Sequence, residues 1–205
     1  MNESEATTLE RIHVAAEKEF LEHGFQAASL RRIVKEAGVT TGAFYGYYAS
    51  KAELYEALVG EVYTYMMTKF CEAQDKFASL PPEEQPDQMG DVSGDCLQDM
   101  LLYAYQHRNA CKLLLTRSEG TRYAGMIDEL VRIEAKSTHD YLKVLERLGR
   151  PSPPIDEHLE HMIITGMFNT YFEMILHDMP LEKAKVYLKE MREFYTAGWA
   201  KIMGQ

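Results

Sequence analysis

The sequence contains no long hydrophobic run. No segment approaches the roughly 18 uncharged apolar residues that a membrane-spanning helix requires. The first residues, MNESEATTLER, are acidic and polar, whereas a secretory signal peptide is basic and then apolar. We therefore expect a cytoplasmic protein that has no membrane partner.

Cysteine is also scarce. Three cysteines occur, an odd number without CxxC spacing, which indicates reduced thiols and no structural metal. They are Cys71, Cys96 and Cys111. The glycine-rich phosphate-binding loop and the GxSxG and HExxH motifs of enzymes are missing as well, so the sequence offers little material for catalysis or for a cofactor.

Positive charge is limited, with 22 basic residues against 32 acidic ones and a net charge of −10. That balance taken alone argues against nucleic-acid binding, because Lys and Arg bind the phosphates. The distribution of the charges reverses the argument. Residues 24–51 contain a single acidic residue, Glu36, and four basic residues, Arg31, Arg32, Lys35 and Lys51. This segment is a candidate for contact with DNA.

Helical periodicity is present almost everywhere. Apolar residues recur at steps of three and four residues, and no segment has the alternation of a strand. Gly24 and Gly38 are placed to end the first two helices. The residues placed to cap the next three helices are Ser29, Thr40 and Ser50. The four N-terminal helices are predicted over residues 9–23, 30–37, 40–47 and 50–77.

The rest of the chain is predicted to be helical, with one long interruption. Residues 79–94, SLPPEEQPDQMGDVSG, contain three prolines and two glycines and are predicted to form a loop. Further helices are predicted over residues 95–107, 110–115, 121–148, 156–177 and 181–203. The predicted fold class is therefore all-α, with about nine helices.

Residues 28–55, ASLRRIVKEAGVTTGAFYGYYASKAELY, fit a helix-turn-helix. This motif needs two short helices, a turn of three or four residues that tolerates glycine, and small or polar residues on the outer face of the second helix. Gly38 permits the turn, while Val39 and Phe44 are placed to fill the core. The residues left for the DNA groove are Thr41, Gly42, Ala43, Tyr45, Gly46 and Tyr47.

The stretch AGVTTGAFYGYYASKAEL resembles the hallmark of the tetracycline-repressor family, which is a glycine-valine turn, a hydroxyl cap, an apolar-tyrosine pair, an aromatic residue and then a lysine. The resemblance covers residues 9–58, and the remainder agrees in helical layout but in no motif. It implies a helix-turn-helix DNA-binding domain over residues 1–51 and a helical ligand-binding and dimerisation domain over residues 52–205. Because members are far more often repressors than activators, the resemblance implies a transcription repressor that binds double-stranded operator DNA.

The resemblance also implies contacts at particular residues. Thr40 would cap the recognition helix, and Tyr45 and Lys51 fall where members of the family contact backbone phosphates. Ser29 and Arg31 fall at the start of the preceding helix, near a further phosphate. The full predicted DNA-binding set is Ser29, Arg31, Thr40, Thr41, Gly42, Ala43, Tyr45, Gly46, Tyr47 and Lys51.

Two features depart from the family pattern. Tyr47 replaces a histidine that is common at this position, and it either faces the groove or packs against the first helix, as Tyr48 is expected to do. Gly42 and Gly46 should each destabilise the recognition helix by about 1 kcal/mol relative to alanine. The resemblance implies that Thr41, Ala43, Gly46 and Tyr47 read the bases.

The last two predicted helices are broadly apolar and need partners on both sides. In the family, two such helices from each protomer form a four-helix bundle, which implies a homodimer. The alternative is that the apolar stripes of both helices pack inside one protomer. The residues predicted for the interface are Leu159, Ile163, Gly166, Leu188, Met191, Tyr195 and Trp199.

A small-molecule effector site is expected between the long fourth helix and the helices of residues 95–175. Methionine and aromatic side chains favour an apolar or aromatic effector there, although each of them is also a normal core residue. The predicted lining residues are Met66, Phe70, Met100, Tyr103, Tyr123, Met126, Met162, Phe168 and Tyr171.

His158 and His161 have a spacing that suits a divalent metal. A solvated helix start is the favoured interpretation of these two histidines, so no metal or cofactor is predicted.

The predicted mechanism is release of DNA by the effector. A dimer would hold two recognition helices about 34 Å apart, one turn of DNA, and the effector would stabilise another spacing.

Two alternatives assign the protein to a different functional class. An enzyme would depend on His158, His161 and their neighbouring glutamates, and a regulator that binds another protein would not need Tyr45 or Lys51 for DNA.

Overall fold

The computed structural model describes residues 7–205, which form nine α-helices and, within this range, no strand. In chain order the helices are α1 (Thr8–Ala27), α2 (Leu30–Glu36), α3 (Thr41–Tyr45), α4 (Lys51–Ser79), α5 (Gln85–Gln106), α6 (Arg108–Thr116), α7 (Met126–Arg147), α8 (Glu157–Leu176) and α9 (Leu181–Ile202). The all-α prediction is confirmed. Residues 1–6, part of the predicted first domain and of the acidic start, lie outside the described residues.

Helix starts follow the predicted caps in part. Ser50 Oγ accepts from the Glu53 amide at 3.1 Å, and the Glu53 carboxylate accepts from the Ala49 amide at 2.6 Å, so a reciprocal cap begins α4. Ser29 occupies the predicted N-cap position of α2. The Ser29 side chain makes no capping bond, and its backbone amide instead donates to Glu19 Oε1 at 2.7 Å.

The chain folds as two compact units. The first comprises the described residues up to Thr64 together with His107–Met126, and the second comprises Tyr65–Gln106 and Ile127–Gln205. Helix α4 therefore contributes to both units, and α6 belongs to the first. The predicted division between residues 51 and 52 does not coincide with this arrangement, because a distant part of the chain completes the first unit.

Aromatic packing and hydrogen bonds from side chains to backbone carbonyls hold the first unit together. Tyr55 of α4 meets Phe20 and Phe25 of α1 edge to face, at centroid distances of 5.0 and 5.2 Å. The buried Tyr55 hydroxyl donates to the Leu113 carbonyl of α6 at 2.9 Å. The Arg117 guanidinium just after α6 donates to the Leu21 carbonyl at 2.7 Å. These long-range contacts place α6 against the N-terminal helices.

The predicted loop over residues 79–94 is present at residues 80–84 and wrong from residue 85 onward, because α5 already begins at Gln85. Pro86 is tolerated in the first turn, where a backbone N–H has no helical partner in any case. The two glycines allow a close approach to α9. A Cβ at Gly94 would lie 2.5 Å from Cδ of Arg192, and one at Gly90 would lie 3.0 Å from Oγ1 of Thr196. Packing against α9 thus outweighs the low helix propensity of this segment.

Two smaller differences concern helix ends. The helix predicted from residue 121 begins at Met126, after turns in which Gly120 and Gly125 have positive φ of 82° and 80°. In α1, Gly24 has φ 72° and interrupts the helical backbone where the sequence predicts an end, although a last turn continues to Ala27. Over residues 7–205, no helix combines the length and apolar character that crossing a membrane requires.

Candidate nucleic-acid interface and ligand cavity

Helices α2 and α3 form the predicted helix-turn-helix. Between them, Gly38 has φ 63°, a left-handed conformation that costs other residues strain. The Val39 amide donates to the Val34 carbonyl at 3.2 Å and closes the turn. Thr40 Oγ1 then accepts from the Ala43 amide at 3.1 Å, so the predicted cap of the recognition helix α3 is present.

The two faces of α3 differ in burial. Phe44 is 1% exposed and fixes the inner face of the helix. Tyr45, the next residue, is 56% exposed, and Thr41 and Gly42 one turn earlier are exposed as well. Because the helix has little more than one turn, this outer face is small, and it presents hydroxyl and aromatic groups to solvent.

The tyrosine pair after α3 is divided between the two faces. The Tyr48 hydroxyl is hydrogen-bonded to Nε2 of His13 on α1, and burial raises the pKa of Tyr48 and lowers that of His13. Tyr48 therefore packs against α1, as expected. Tyr47, by contrast, is exposed to solvent.

Two of the four basic residues of this segment are bound within the protein. The Arg32 Nε donates to both carboxylate oxygens of Glu19, at 2.8 and 3.0 Å, and this contact lowers the pKa of Glu19. The Lys51 ammonium donates to the carbonyls of Gln26 and Ala28, at 3.0 and 2.9 Å. Burial lowers the pKa of Lys51. Both cations therefore fasten the turn between α1 and α2.

The other two basic residues, Arg31 and Lys35, are exposed on α2. Within residues 7–205 neither of them has an ion-pair partner. The acidic neighbour Glu36 is paired with Lys18 of α1 at 2.6 Å, which lowers the pKa of Glu36. Positive charge that is available to phosphates is thus concentrated on Arg31 and Lys35, and the latter is absent from the predicted set.

The structure brings the ten predicted DNA-binding residues together on α2, α3 and their flanks. The exposed ones are Arg31, Thr40, Thr41, Gly42, Tyr45, Gly46 and Tyr47. The partly buried ones are Ser29, Ala43 and Lys51. Sequence analysis missed the supporting pair of Glu19 and Arg32, because 13 residues separate them and only the fold brings them into contact.

The predicted dimer residues of α8 and α9 do not share one exposed face. Leu188 and Trp199 are buried within the protomer, and Met191 and Tyr195 lie with Trp199 on the wall of a cavity described below. Leu159 is exposed, whereas Ile163 and Gly166 are partly buried. The large apolar residues that α8 and α9 leave exposed are Leu159, Met162, Val186, Tyr187 and Phe194.

The second unit contains a cavity of about 90 Å³. Helices α4, α5, α7, α8 and α9 all contribute to its wall. The aromatic side chains in the wall are Phe70, Phe77, Tyr141, Tyr195 and Trp199. Its polar side chains are Gln74, Ser93, Glu134, Ser137, Thr138, Arg192 and Thr196. An apolar cavity with a few polar groups has the general character of a small-molecule site.

Of the nine predicted effector-site residues, Phe70 lies in this wall. Met66, Met100, Phe168 and Tyr171 are fully buried core residues. Tyr103 stacks on Tyr65 with a centroid distance of 3.7 Å, and Met162 is exposed on α8. Tyr123 and Met126 belong to the first unit.

Sequence analysis missed Glu134, the acidic residue of the cavity wall. A signal for it exists, since Glu134 falls on the apolar stripe of α7, four residues after Leu130 and four before Thr138. An acidic residue at such a position needs a hydrogen-bonding partner or a ligand.

The histidines considered for a metal lie at the start of α8. The His158 side chain is 95% exposed, and His161 is also exposed. In the described part of the chain, no three His, Cys, Asp or Glu side chains are grouped so that they could hold a metal ion.

Comparison with known proteins agrees with this geometry. The model of the tetR family of bacterial regulatory proteins matches residues 6–58. The transcriptional repressor BepR of Brucella suis biovar 1 (strain 1330) is 40% identical over 55 residues, which are 27% of this chain and 26% of BepR. The chain thus matches about a quarter of this curated relative's length.

Solved structures extend the similarity of fold to nearly the whole chain. A transcriptional regulator from Aquifex aeolicus VF5 has a TM-score of 0.57 at 21% identity, over 92% of this chain and 99% of that one. A tetR-family regulator from Streptomyces coelicolor A3 has a TM-score of 0.60 at 15% identity, over 94% and 92%. At such identities the likeness concerns the fold, whereas the match over residues 6–58 concerns the sequence. In sequence, this chain resembles the tetR family of bacterial regulatory proteins over residues 6–58.

Proposed function

We propose that this protein is a dimeric transcription repressor that binds operator DNA through α2 and α3 and is released by a small effector in the cavity of the second unit. The observation that carries the proposal is the outer face of α3, where Thr41, Tyr45 and Tyr47 are exposed beside the available cations of α2. Members of the family are transcription regulators and not enzymes. BepR, which is 40% identical to this chain over 55 residues, is a repressor.

The small number of available cations supports a dimer. Each phosphate contact contributes modestly and is weakened by salt, so one domain with Arg31 and Lys35 would bind weakly. Two copies on two half-sites double the contacts. The exposed apolar side chains of α8 and α9, Phe194 and Met162 above all, supply a surface that a second copy can cover.

The effector would act by favouring a conformation that does not fit DNA. A dimer with recognition helices about 34 Å apart matches successive turns of the major groove. A tenfold loss of DNA affinity requires about 1.4 kcal/mol of coupling, and DNA must then weaken effector binding by the same factor. Helix α4 passes from one unit into the other and provides a covalent path for this coupling.

Ligand response has a precedent on this fold. FadR of Bacillus subtilis, which has a TM-score of 0.50 at 16% identity over 88% of this chain and 96% of its own, was solved in complex with stearoyl-CoA. The cavity of the second unit, with aromatic walls and a few polar groups, supports an aromatic effector here.

Selection of genomic DNA fragments by the purified full-length protein, at several salt concentrations, tests the proposal. We expect an enriched palindromic sequence. Tyr45→Ala should lose the enrichment, and Arg31→Ala should reduce the slope of log affinity against log salt by about 1. Lys136→Ala on α7 is the matched control, because Lys136 is an exposed cation of the second unit.

Either outcome is informative. Enrichment that survives in Lys136→Ala and fails in Tyr45→Ala supports operator binding through α3. No enrichment at any salt concentration would contradict operator binding and favour a regulator that acts on another protein. Turnover of a substrate that depends on His161 would contradict the proposal in favour of an enzyme.

A further inference from the structure

The cavity of the second unit contains an acidic side chain without a counter-ion. Glu134 of α7 accepts a hydrogen bond from Gln74 Nε2 of α4, at 2.9 Å between Nε2 and Oε2. No Lys, Arg or His of residues 7–205 forms an ion pair with it. Glu134 is partly buried, so its carboxylate loses part of its hydration in exchange for one neutral donor, and a bound cation would offset that cost.

The charged groups around Glu134 do not compensate it. Arg192 of α9 lines the same cavity, but its guanidinium is paired with Asp91 of α5. Glu160 of α8, 3% exposed, adds a second negative charge that raises the pKa of Glu134. The Cys96 thiol of α5, whose pKa burial raises to about 12, remains neutral. The local balance is therefore negative.

The Glu160 carboxylate is itself only partly satisfied. His139 of α7 is hydrogen-bonded to its Oε2 at 2.7 Å, while Oε1 is buried and has no hydrogen-bond partner among residues 7–205. The other titratable groups of the wall are tyrosines, Tyr141 on α7 and Tyr195 on α9. An unpartnered carboxylate oxygen beside Glu134 increases the attraction of this region for a positive charge.

The remaining wall suits the apolar part of such a ligand. Phe70, Phe77 and Trp199 present rings to the cavity, and Met167 and Met191 add polarisable surface. Aromatic faces attract ammonium groups, particularly where water is excluded. Acid and aromatic groups on one wall together select a ligand that is both cationic and apolar.

We propose that this cavity binds a small apolar monocation of the arylalkyl ammonium class, with Glu134 as the counter-ion. The inference rests on the proposed function in that it names the chemistry of the effector. The cavity volume is about 90 Å³. An engineered cavity that holds benzene in another protein is larger, at about 150 Å³, so the ligand can have no more than a single ring. Binding must therefore widen the cavity, which is the kind of change a regulatory ligand has to cause.

The chain provides its own probe of this cavity. Trp199 is the only tryptophan in the sequence, and it lies in the cavity wall. We would titrate the full-length protein with phenethylammonium, with neutral 2-phenylethanol and with anionic 3-phenylpropanoate, following Trp199 fluorescence. The three ligands share a phenyl ring on a short chain and differ in charge.

We expect phenethylammonium to bind at least about tenfold more tightly than the alcohol, and the anion to bind more weakly still. Glu134→Gln should remove the preference for the cation. Glu129→Gln is the matched control, because Glu129 lies on the same helix, is paired with Arg132 and is not part of the cavity wall. It should leave the preference unchanged.

The pH dependence gives a second readout. Burial raises the pKa of Glu134 to about 7, so the counter-ion is lost as the pH falls through this value. Affinity for phenethylammonium should fall from about pH 8 to about pH 6, while affinity for the alcohol stays constant. Glu134→Gln should abolish the difference.

The outcomes separate this inference from the proposed function. Equal binding of the three ligands, or a cation preference that survives in Glu134→Gln, overturns the inference whether or not the protein binds DNA. A preference that depends on Glu134 supports it. If such binding leaves the affinity for a selected DNA fragment unchanged, the cavity assignment stands and the proposed release of DNA fails.

Discussion

The ammonium group of Lys51 is bound by the protein itself. It donates to two backbone carbonyls before α2 and lies 4.7 Å from the ring centroid of Phe25. The resemblance to the family implies a phosphate contact at this residue. We infer that Lys51 is mainly a positioning residue, because its donors hold the turn that leads into the helix-turn-helix.

Lys51→Met tests that role at the scale of one residue. We expect a loss of about 1–2 kcal/mol in the free energy of unfolding, because the carbonyls of Gln26 and Ala28 lose a charged donor. The slope of log DNA affinity against log salt should change little. Urea unfolding and DNA binding at several salt concentrations measure the two effects.

Lys35→Met is the matched control for this prediction. Lys35 is exposed and has no ion-pair partner within residues 7–205. Its replacement should change the free energy of unfolding by no more than about 0.5 kcal/mol. The slope of log DNA affinity against log salt should become less steep by about 0.9. An equal fall of the slope in Lys51→Met would show that Lys51 contacts a phosphate as well.

Glu134 predicts an unusual pH dependence of stability. Its pKa is raised from 4.5 to about 7 in the folded protein by burial. Between these two pH values Glu134 is ionised in the unfolded chain and protonated in the folded protein. The free energy of unfolding therefore falls as the pH rises, by at most about 1.4 kcal/mol per pH unit. Above about pH 7 this contribution is constant.

Glu134→Gln should remove this decline. From about pH 5 to about pH 8 the variant should gain up to about 3 kcal/mol relative to the wild type. Urea unfolding at both pH values measures the gain, and Glu129→Gln should not show it. A pH profile identical in Glu134→Gln and wild type would mean that the folded protein leaves the pKa of Glu134 unshifted.

Helix α5 shows how packing determines an element. Its first half contains Pro86, Gly90 and Gly94, residues that indicate a loop, yet these residues are helical. Glycine at position 94 leaves room for the Arg192 side chain of α9. The helix is therefore stabilised through its contact with α9 more than through its own propensities.

A double-mutant cycle tests this contact. Gly94→Ala should destabilise the protein by about 1 kcal/mol, because the new Cβ displaces the Arg192 side chain and offsets the gain in helix propensity. In an Arg192→Ala background, the same substitution should stabilise by up to about 1 kcal/mol. Thermal or urea unfolding of the four proteins gives the coupling. Equal effects in both backgrounds would contradict the packing argument.

At the scale of the whole molecule, the exposed apolar residues of α8 and α9 bear on assembly. Phe194 is 72% exposed, and Met162, Leu159 and Tyr187 are also exposed. The predicted interface residues Leu188 and Trp199 face the interior instead. Both helices thus bury one apolar stripe within the protomer and leave other apolar side chains exposed.

Phe194→Glu should convert a dimer into a monomer, because a charge would have to be buried in the interface. Sedimentation equilibrium measures the assembly state, and affinity for a palindromic DNA should fall to that of one half-site. Val14→Glu on α1 is the matched control, since Val14 is 68% exposed and lies far from α8 and α9 in the sequence. Unchanged sedimentation of Phe194→Glu would exclude this face as the interface.

The sequence predicts the DNA-binding surface better than the ligand cavity. Thr40 and Gly38 act through bonds to residues a few positions away, so their roles can be read locally. Glu134 and Trp199 meet only because α7 and α9 pack around the same space. Periodicity identifies both as helical positions and cannot assign either to a cavity.

The all-α class, most helix boundaries and the resemblance of residues 6–58 to the tetR family can be read from the sequence, because periodicity, caps and a local motif depend on neighbouring residues. The fold is needed to show that α6 completes the first unit, that Lys51 and Arg32 are bound internally, and that residues 85–94 are helical. These features depend on contacts between distant segments. The free energy of those contacts outweighs local preference wherever the two disagree.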